Sequence, residues 1–176
     1  IQVEKLTFLT KSLEPHPKDV FGMGDEEYRL RHRYLDMIYT PDTLRRAHQR
    51  VKIIRTIRNH LDAQGYMVVE TPTLHAIAGG AAARPFETHH NALDIECAFR
   101  ISPETWLKKC VAGGIDRVYE VARCFRNEGM DPSHLQDFSL CEWYCAYFDF
   151  NVYMDFSQAL ILHLLDALHA GECLDD

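Results

Sequence analysis

Two long segments of alternating side chains constrain the fold of this chain more than any other feature. They cover residues 117–127 and 137–148, and the residues between them include Gly129 and Pro132, which favour a turn. Successive side chains of a strand point to opposite faces of a sheet. The pattern therefore predicts a long hairpin with two chemically different faces.

One face of the predicted hairpin carries side chains that could bind a charged ligand. They are Arg126 and Glu128 from the first strand and Phe138, Glu142 and Tyr144 from the second. This mixture is costly to bury in an apolar core. It suits a ligand with a phosphate, an ammonium group and a flat base. A solvated sheet face with Arg–Glu ion pairs is an equally good interpretation of the spacing alone.

Helical and strand-like segments surround this hairpin in the sequence. In chain order we expect a strand at 3–10, helices at 25–38 and from Pro41 to Gly65, a strand at 66–70, a loop at 76–85, a strand at 92–101, and helices at 104–112 and from 151 to about 170. Strands joined by hairpins, with helices at the edges, indicate an α+β fold with a mainly antiparallel sheet.

Composition excludes several classes of protein. No apolar run approaches the ~18 residues of a membrane span. The first residues show no basic start followed by an apolar stretch, so we expect them not to be a signal peptide. The net charge of −7 gives no overall attraction for a polyanion, and we favour a solvated helix face over an RNA contact for the basic residues between positions 29 and 58. The six cysteines form no CxxC pair, which favours the reduced thiols of a cytoplasmic protein.

Several motifs resemble those of class II aminoacyl-tRNA synthetases. The run FRNE at 125–128, with Phe138 and Glu142, resembles motif 2, and GYMVVETPTL at 65–74 resembles motif 1. The run IAGGAAARPF at 77–86, followed by THHNAL, is similar to the lysyl-tRNA synthetases in particular. The resemblance covers nearly the whole chain. It implies the antiparallel sheet flanked by helices of class II synthetases, incomplete in this chain.

The resemblance also implies a domain organisation. Residues 1–17 would be the tail of a missing N-terminal anticodon-binding barrel with its linker, and residues 18–176 the N-terminal half of the catalytic domain. Motif 3 would lie downstream of Asp176. We therefore expect these 176 residues to hold half of an active site and to be inactive alone.

Carried over residue by residue, the resemblance implies an ATP site. Arg126, the one catalytic residue, would hold the α-phosphate and also the carboxylate of the amino acid. Glu128 would bond the adenine amino group, His134 would contact the phosphates, and Phe138 would stack on adenine. Mg²⁺ would accompany ATP with ligands downstream of this chain, so we expect no metal ligand within it.

The same resemblance implies a lysine site. Glu104, in the sequence Ser-Pro-Glu at 102–104, would take the α-ammonium, with Gly80 lining that pocket. Glu142 and Tyr144 would border the amino acid, with Tyr144 near the ε-ammonium.

The implied activity is ATP-dependent activation of lysine to lysyl-adenylate and its transfer to tRNA(Lys), carried out by a full-length homodimer formed through motif 1. Two alternatives stay open. The triplet Glu142-Trp143-Tyr144 also resembles paralogues that attach a lysine-like residue to elongation factor P. A non-catalytic dimerising or regulatory paralogue would account for Ser133, where lysyl enzymes show an arginine before the histidine.

Overall fold

The computed structural model describes residues 3–11, 13, 24–129 and 131–169. The chain divides into two compact units, residues 1–52 and 53–176, which are treated separately below. The domain boundary predicted between residues 17 and 18 lies outside the described residues.

Five helices and six strands make up the described secondary structure. In chain order they are α1 (Glu26–Arg31), α2 (Arg33–Tyr39), α3 (Pro41–Ala63), β1 (Met67–Val68), β2 (Leu74–His75), β3 (Glu87–His90), β4 (Ile95–Phe99), α4 (Glu104–Ala112), β5 (Arg117–Phe125), β6 (Asp137–Cys145) and α5 (Phe150–His169). None of the helices in this part of the chain combines the length and apolar character needed to cross a bilayer.

In the first unit, a buried carboxylate replaces the single helix predicted at 25–38 by two shorter ones. The helical conformation is interrupted at His32, between α1 and α2. Asp36 accepts hydrogen bonds from Arg29 of α1 at 2.7 Å and from Arg33 of α2 at 2.8 Å. Burial alone would raise the pKa of Asp36, but these guanidinium groups hold it well below its usual range. The break lets both arginines reach one carboxylate.

The strand predicted at 3–10 is absent. Residues 3–11 are exposed and form no ladder with any other described residue. An alternating pattern does not by itself satisfy the backbone donors and acceptors of a strand, which need a neighbouring strand. That prediction was therefore wrong for this segment.

Two three-stranded sheets form the second unit, with strand orders β1-β5-β6 and β2-β4-β3. The long hairpin is present: β5 and β6 pair antiparallel, with Glu120 opposite Glu142 and Cys124 opposite Phe138. The predicted α+β fold with mainly antiparallel sheets is thus confirmed. The pairing of β1 with β5 is parallel. Sequence alternation did not predict it, because it carries no information on strand direction.

One face of the hairpin packs against helices and forms the core. Tyr119 of β5 clusters with Leu61 of α3 and with Tyr66, and Phe156 of α5 packs against this cluster. The hydroxyl of Tyr119 donates to Asp62 at 2.8 Å. Burial, together with this hydrogen bond, raises the pKa of Tyr119 to about 12. This face is therefore used for stability, and the opposite face is left for the site.

A buried ion pair connects the two sheets. Arg100, directly after β4, donates to Glu120 of β5 at 2.7 Å, and their side chains are only 7% and 5% exposed. Arg100 also donates to the backbone carbonyls of Arg123 and Thr71, and the Thr71 hydroxyl donates to Glu120 at 2.6 Å. Residues of the motif 1 segment, β4 and β5 thereby share one hydrogen-bonded network.

Replacing Glu120 should destabilise the chain strongly. In Glu120→Gln the Arg100 guanidinium stays buried without its counter-charge, and we expect the free energy of unfolding to fall by about 3 to 5 kcal/mol. Urea denaturation measures the change. The matched control is Glu27→Gln, which breaks the exposed pair with Arg31, where both side chains are more than 70% exposed, and should have little effect. Equal effects of the two substitutions would contradict the role assigned to the buried pair.

Candidate functional site

The residues predicted to bind ATP lie around a pocket at the end of the hairpin where the loop 126–136 joins β5 to β6. The pocket has a volume of about 580 Å³ and is lined by Arg126, Glu128, Gly129, Asp131, Ser133, His134, Leu135, Gln136 and Phe138. All four predicted ATP-binding residues are in this lining. Arg126 and Glu128 follow β5, which ends at Phe125, and do not extend it as predicted.

One backbone and one side-chain hydrogen bond hold Arg126 at the start of the loop that follows β5. Its backbone N–H donates to the Gln136 carbonyl at 2.9 Å, and its Nε donates to the Ile101 carbonyl at 3.4 Å. The guanidinium carbon lies 5.1 Å from the centre of the Phe138 ring, within cation–π range. The pocket therefore combines a held cation with an aromatic face.

Glu128 joins the hairpin to the glycine-rich loop predicted at 76–85. Its carboxylate accepts from the backbone N–H of Arg84 at 3.3 Å, and the backbone N–H of Asn127 donates to the Arg84 carbonyl at 2.8 Å. These bonds bring the FRNE motif beside the IAGGAAARPF motif, although 44 residues separate Arg84 from Glu128.

His134 is held by its own loop. Its Nδ1 lies 2.6 Å from Asp131, and the same carboxylate accepts from both the backbone N–H and the hydroxyl of Ser133 at 2.7 Å. The Ser133 hydrogen bonds, with the His134 ring, lower the pKa of Asp131 to about 2, so this carboxyl is ionised at neutral pH. Ser133, at the position where an arginine was expected, thus organises the turn that presents His134.

The residues predicted to bind lysine form a second cluster. Glu142 of β6 accepts from the Ser102 hydroxyl at 2.7 Å and from the Tyr144 hydroxyl at 3.2 Å. Glu104, at the start of α4, pairs with Lys108 one turn later. Burial raises the pKa of Tyr144 well above its usual value, and the charges of Glu142 and Glu104 raise it further. Tyr144 is therefore a neutral phenol near two carboxylates.

Gly80 brings the glycine-rich loop against this cluster. Its φ of +91° is a conformation that side chains other than glycine rarely adopt. A Cβ atom at this position would lie 3.1 Å from Cβ of Glu104 and 3.3 Å from the side chain of Ser102. The close approach and the positive φ together require glycine.

All eight predicted site residues are thus grouped in two clusters, one that contains Arg126 and one that contains Glu142. Sequence reasoning missed the supporting residues Asp131, Ser102 and Arg84, which hold His134, Glu142 and Glu128 respectively. Ser102 stands in a recognised motif, but its partner is 40 residues away. No local signal indicates that contact. Among the described residues, no group of three or more His, Cys, Asp or Glu side chains could hold a metal ion.

The comparison with protein families agrees with this mixed α and β fold. The family model of class II tRNA synthetases (D, K and N) matches residues 25–174, and the chain belongs to that family.

Within the family, the chain is similar to lysine–tRNA ligases. It is 48% identical over 161 residues to the enzyme of Ralstonia nicotianae, 50% over 164 residues to that of Lysinibacillus sphaericus, and 47% over 175 residues to that of Lactococcus lactis. These alignments cover 92%, 93% and 99% of this chain but 32%, 33% and 35% of the relatives. The chain spans about a third of the length of the curated relatives it matches.

Removing the charge of Glu142 should lower the pKa of Tyr144. In Glu142→Gln the repulsion between the carboxylate and the ionised phenol is lost, while the burial that also raises this pKa remains. Phenol absorbance titration measures the shift, with Tyr144→Phe identifying the signal. Glu128→Gln is the control, because Glu128 is not among the groups that influence Tyr144. An unchanged titration in Glu142→Gln would contradict the proximity of the two side chains.

Proposed function

We propose that this chain supplies the ATP- and lysine-binding part of a lysine–tRNA ligase. The full protein would activate lysine to lysyl-adenylate and transfer it to tRNA(Lys). The observation that carries the proposal is the joint presence of two clusters. Arg126 faces the Phe138 ring in one, and Glu142 and Glu104 lie near a neutral Tyr144 in the other. The sequence identity of 48% and 50% to two lysine–tRNA ligases supports it.

In the proposed site, ATP occupies the pocket at the loop end of the hairpin. Phe138 stacks on adenine, and Glu128 accepts from its amino group. His134 contacts the phosphates, and Arg126 binds the α-phosphate with its guanidinium. The sharing of one pocket lining by these four side chains supports this arrangement.

Lysine is proposed to bind beside it, at the second cluster. Glu104 takes the α-ammonium in a pocket lined by Gly80, Glu142 borders the amino acid, and Tyr144 lies near the ε-ammonium. Arg126 also holds the lysine carboxylate. Two carboxylates next to an un-ionised phenol create a negative environment that suits a doubly cationic substrate.

The proposed reaction needs position and charge, and no protein nucleophile. A carboxylate oxygen of lysine attacks the α-phosphorus in line, its bond to phosphorus forms, and the bond to the β-phosphate oxygen breaks to release pyrophosphate. Arg126 lowers the barrier by binding both negative reactants. Mg²⁺ would add charge neutralisation at the phosphates. Its ligands are proposed to lie outside the described residues, which hold no cluster suited to it.

The remaining features of the proposal concern the whole protein. It is proposed to be a cytoplasmic homodimer formed through motif 1, with residues 1–17 as the tail of an anticodon-binding barrel. The side chains of Met67 and Val68 in motif 1 are each 55% exposed, which supports a contact there. Met67→Lys with Val68→Lys should shift sedimentation velocity from dimer to monomer. Leu6→Lys with Leu9→Lys, at two positions that are about 90% exposed and lie outside motif 1, changes the charge by the same amount and is the control.

A chimera tests the activity. When this chain replaces the matching 161 residues of the Ralstonia nicotianae enzyme, we expect lysine-dependent exchange of pyrophosphate into ATP. Arg126→Ala in the chimera should reduce exchange by at least about a hundredfold, because one transition-state charge contact is lost. Arg123→Ala, three residues earlier in β5, removes an exposed side chain that pairs with Asp137; it is the control and should leave the exchange rate nearly unchanged.

The acceptor is tested in the same chimera. Transfer of lysine to tRNA(Lys), without transfer to elongation factor P, is expected from the lysine–tRNA ligase relatives. A chimera that folds, as judged by circular dichroism, but does not exchange pyrophosphate with lysine would refute the proposed activity.

A further inference from the structure

Glu142 is held by neutral donors, in contrast to the two carboxylates around it. Glu120 lies directly across the hairpin from Glu142 and is neutralised by Arg100. Glu104 is paired with Lys108. Glu142 receives instead two hydroxyl groups, Ser102 on one carboxylate oxygen and Tyr144 on the other.

The type of donor decides what Glu142 can still bind. A buried cationic partner, such as Arg100 beside Glu120, fixes the carboxylate but also cancels its charge for an incoming ammonium group. The pair of Glu104 with Lys108 differs, because the Lys108 side chain is 59% exposed and water screens the pair. A hydroxyl donor fixes the direction of the carboxylate and leaves its full charge. Arg100 offsets the charge of Glu120, which lies opposite Glu142 across the hairpin, so the two hydroxyl donors orient Glu142 without a like charge unpaired beside it.

The Ser102 side chain is held in place by its surroundings, and its hydroxyl hydrogen is used in the bond to Glu142. The residue is 2% exposed. Its Oγ accepts the backbone N–H of Glu104 at 3.0 Å, and Gly80 packs close to it. Because a carboxylate oxygen accepts, the 2.7 Å contact with Glu142 is made by donation of the single hydroxyl hydrogen of Ser102. The same oxygen therefore aligns the backbone of Glu104 and the side chain of Glu142.

We infer that Ser102 is the positioning residue of the ammonium site, holding Glu142 and Glu104 in register without neutralising Glu142. It does not touch the substrate. This inference rests on the proposed function for its ligand, lysine, but the Ser102–Glu142 contact can be tested without any ligand. Its consequence is a specific weakening of lysine binding when Ser102 is changed.

The contact is tested first in the ligand-free chain by ¹³C NMR of glutamate carboxyl groups. The Glu142 signal is assigned by its loss in Glu142→Gln. In Ser102→Ala this signal should shift and broaden, because one hydroxyl in place of two permits more side-chain rotamers. Ser139→Ala, on the opposite face of β6, is the matched control and should leave it unchanged. An unchanged Glu142 signal in Ser102→Ala overturns the inference, whatever the chain binds.

Lysine and ATP titrations by calorimetry test the consequence in the chimera with the Ralstonia nicotianae enzyme, because this chain is expected to hold only half of the active site. Ser102→Ala should weaken lysine binding about tenfold, the usual effect of losing a hydrogen bond to a charged group. ATP binding should change by less than about twofold, as the ATP-site side chains keep their contacts. In a Glu142→Gln background, Ser102→Ala should have little further effect on lysine, because Ser102 acts through Glu142.

Other results separate the inference from the proposed function. Equal weakening of lysine and ATP binding, with a lower melting temperature, would show that Ser102 only supports the fold, and would overturn the inference. If Ser102→Ala does not fold, Ser102→Cys retains a side chain with a much weaker donor and is measured in the same way. A chain that shows the NMR response, together with a folded chimera that binds no lysine, would count against the proposed function and leave the Ser102–Glu142 contact established.

Discussion

The second unit depends on the buried ion pair between Arg100 and Glu120. Two buried charges are expensive to remove from water, and they are tolerated only when each finds further hydrogen bonds. Here Thr71 and the Arg123 carbonyl supply them. Because these partners come from motif 1, β4 and β5, the network can form only when both sheets are correctly placed. The pair therefore specifies the arrangement on which the site is built.

The segment that begins with Arg100 carries this order to both clusters of the site. The Ile101 carbonyl accepts from Arg126, and the next residue, Ser102, binds Glu142 and the backbone of Glu104. Three consecutive residues thus connect the core network, the arginine of the proposed ATP site and the proposed ammonium site. The buried charges of Arg100 and Glu120 offset each other. Glu142, nearer the surface, is oriented by two hydroxyl groups and not by a cation. This gradient is the physical basis of the proposed function.

Many elements of the fold were predictable from local sequence patterns, and the candidate site residues were predicted from motifs. The helix at 104–112 and the hairpin strands follow from local periodicity, and the structure has them within a few residues. The eight site residues came from motif resemblance together with period-two spacing. Local pattern misled at 3–10, where alternation had no partner strand, and at His32, where a helix is broken so that two arginines can reach Asp36. In both cases a non-local requirement overrode the local preference.

The amino-acid sequence by itself determined the family, the hairpin and the chemical types gathered on one of its faces, because these depend on residue identity and short-range spacing. Only the tertiary structure decided which carboxylates are paired with a cation and which with neutral donors. Glu120 and Glu142 stand on equivalent positions of a two-residue repeat, and nothing in their neighbours along the chain distinguishes them. The partner from another strand distinguishes them: a guanidinium for Glu120 and a serine hydroxyl for Glu142. Long-range contacts set the electrostatics of the site, since a charge responds to what is near it in space.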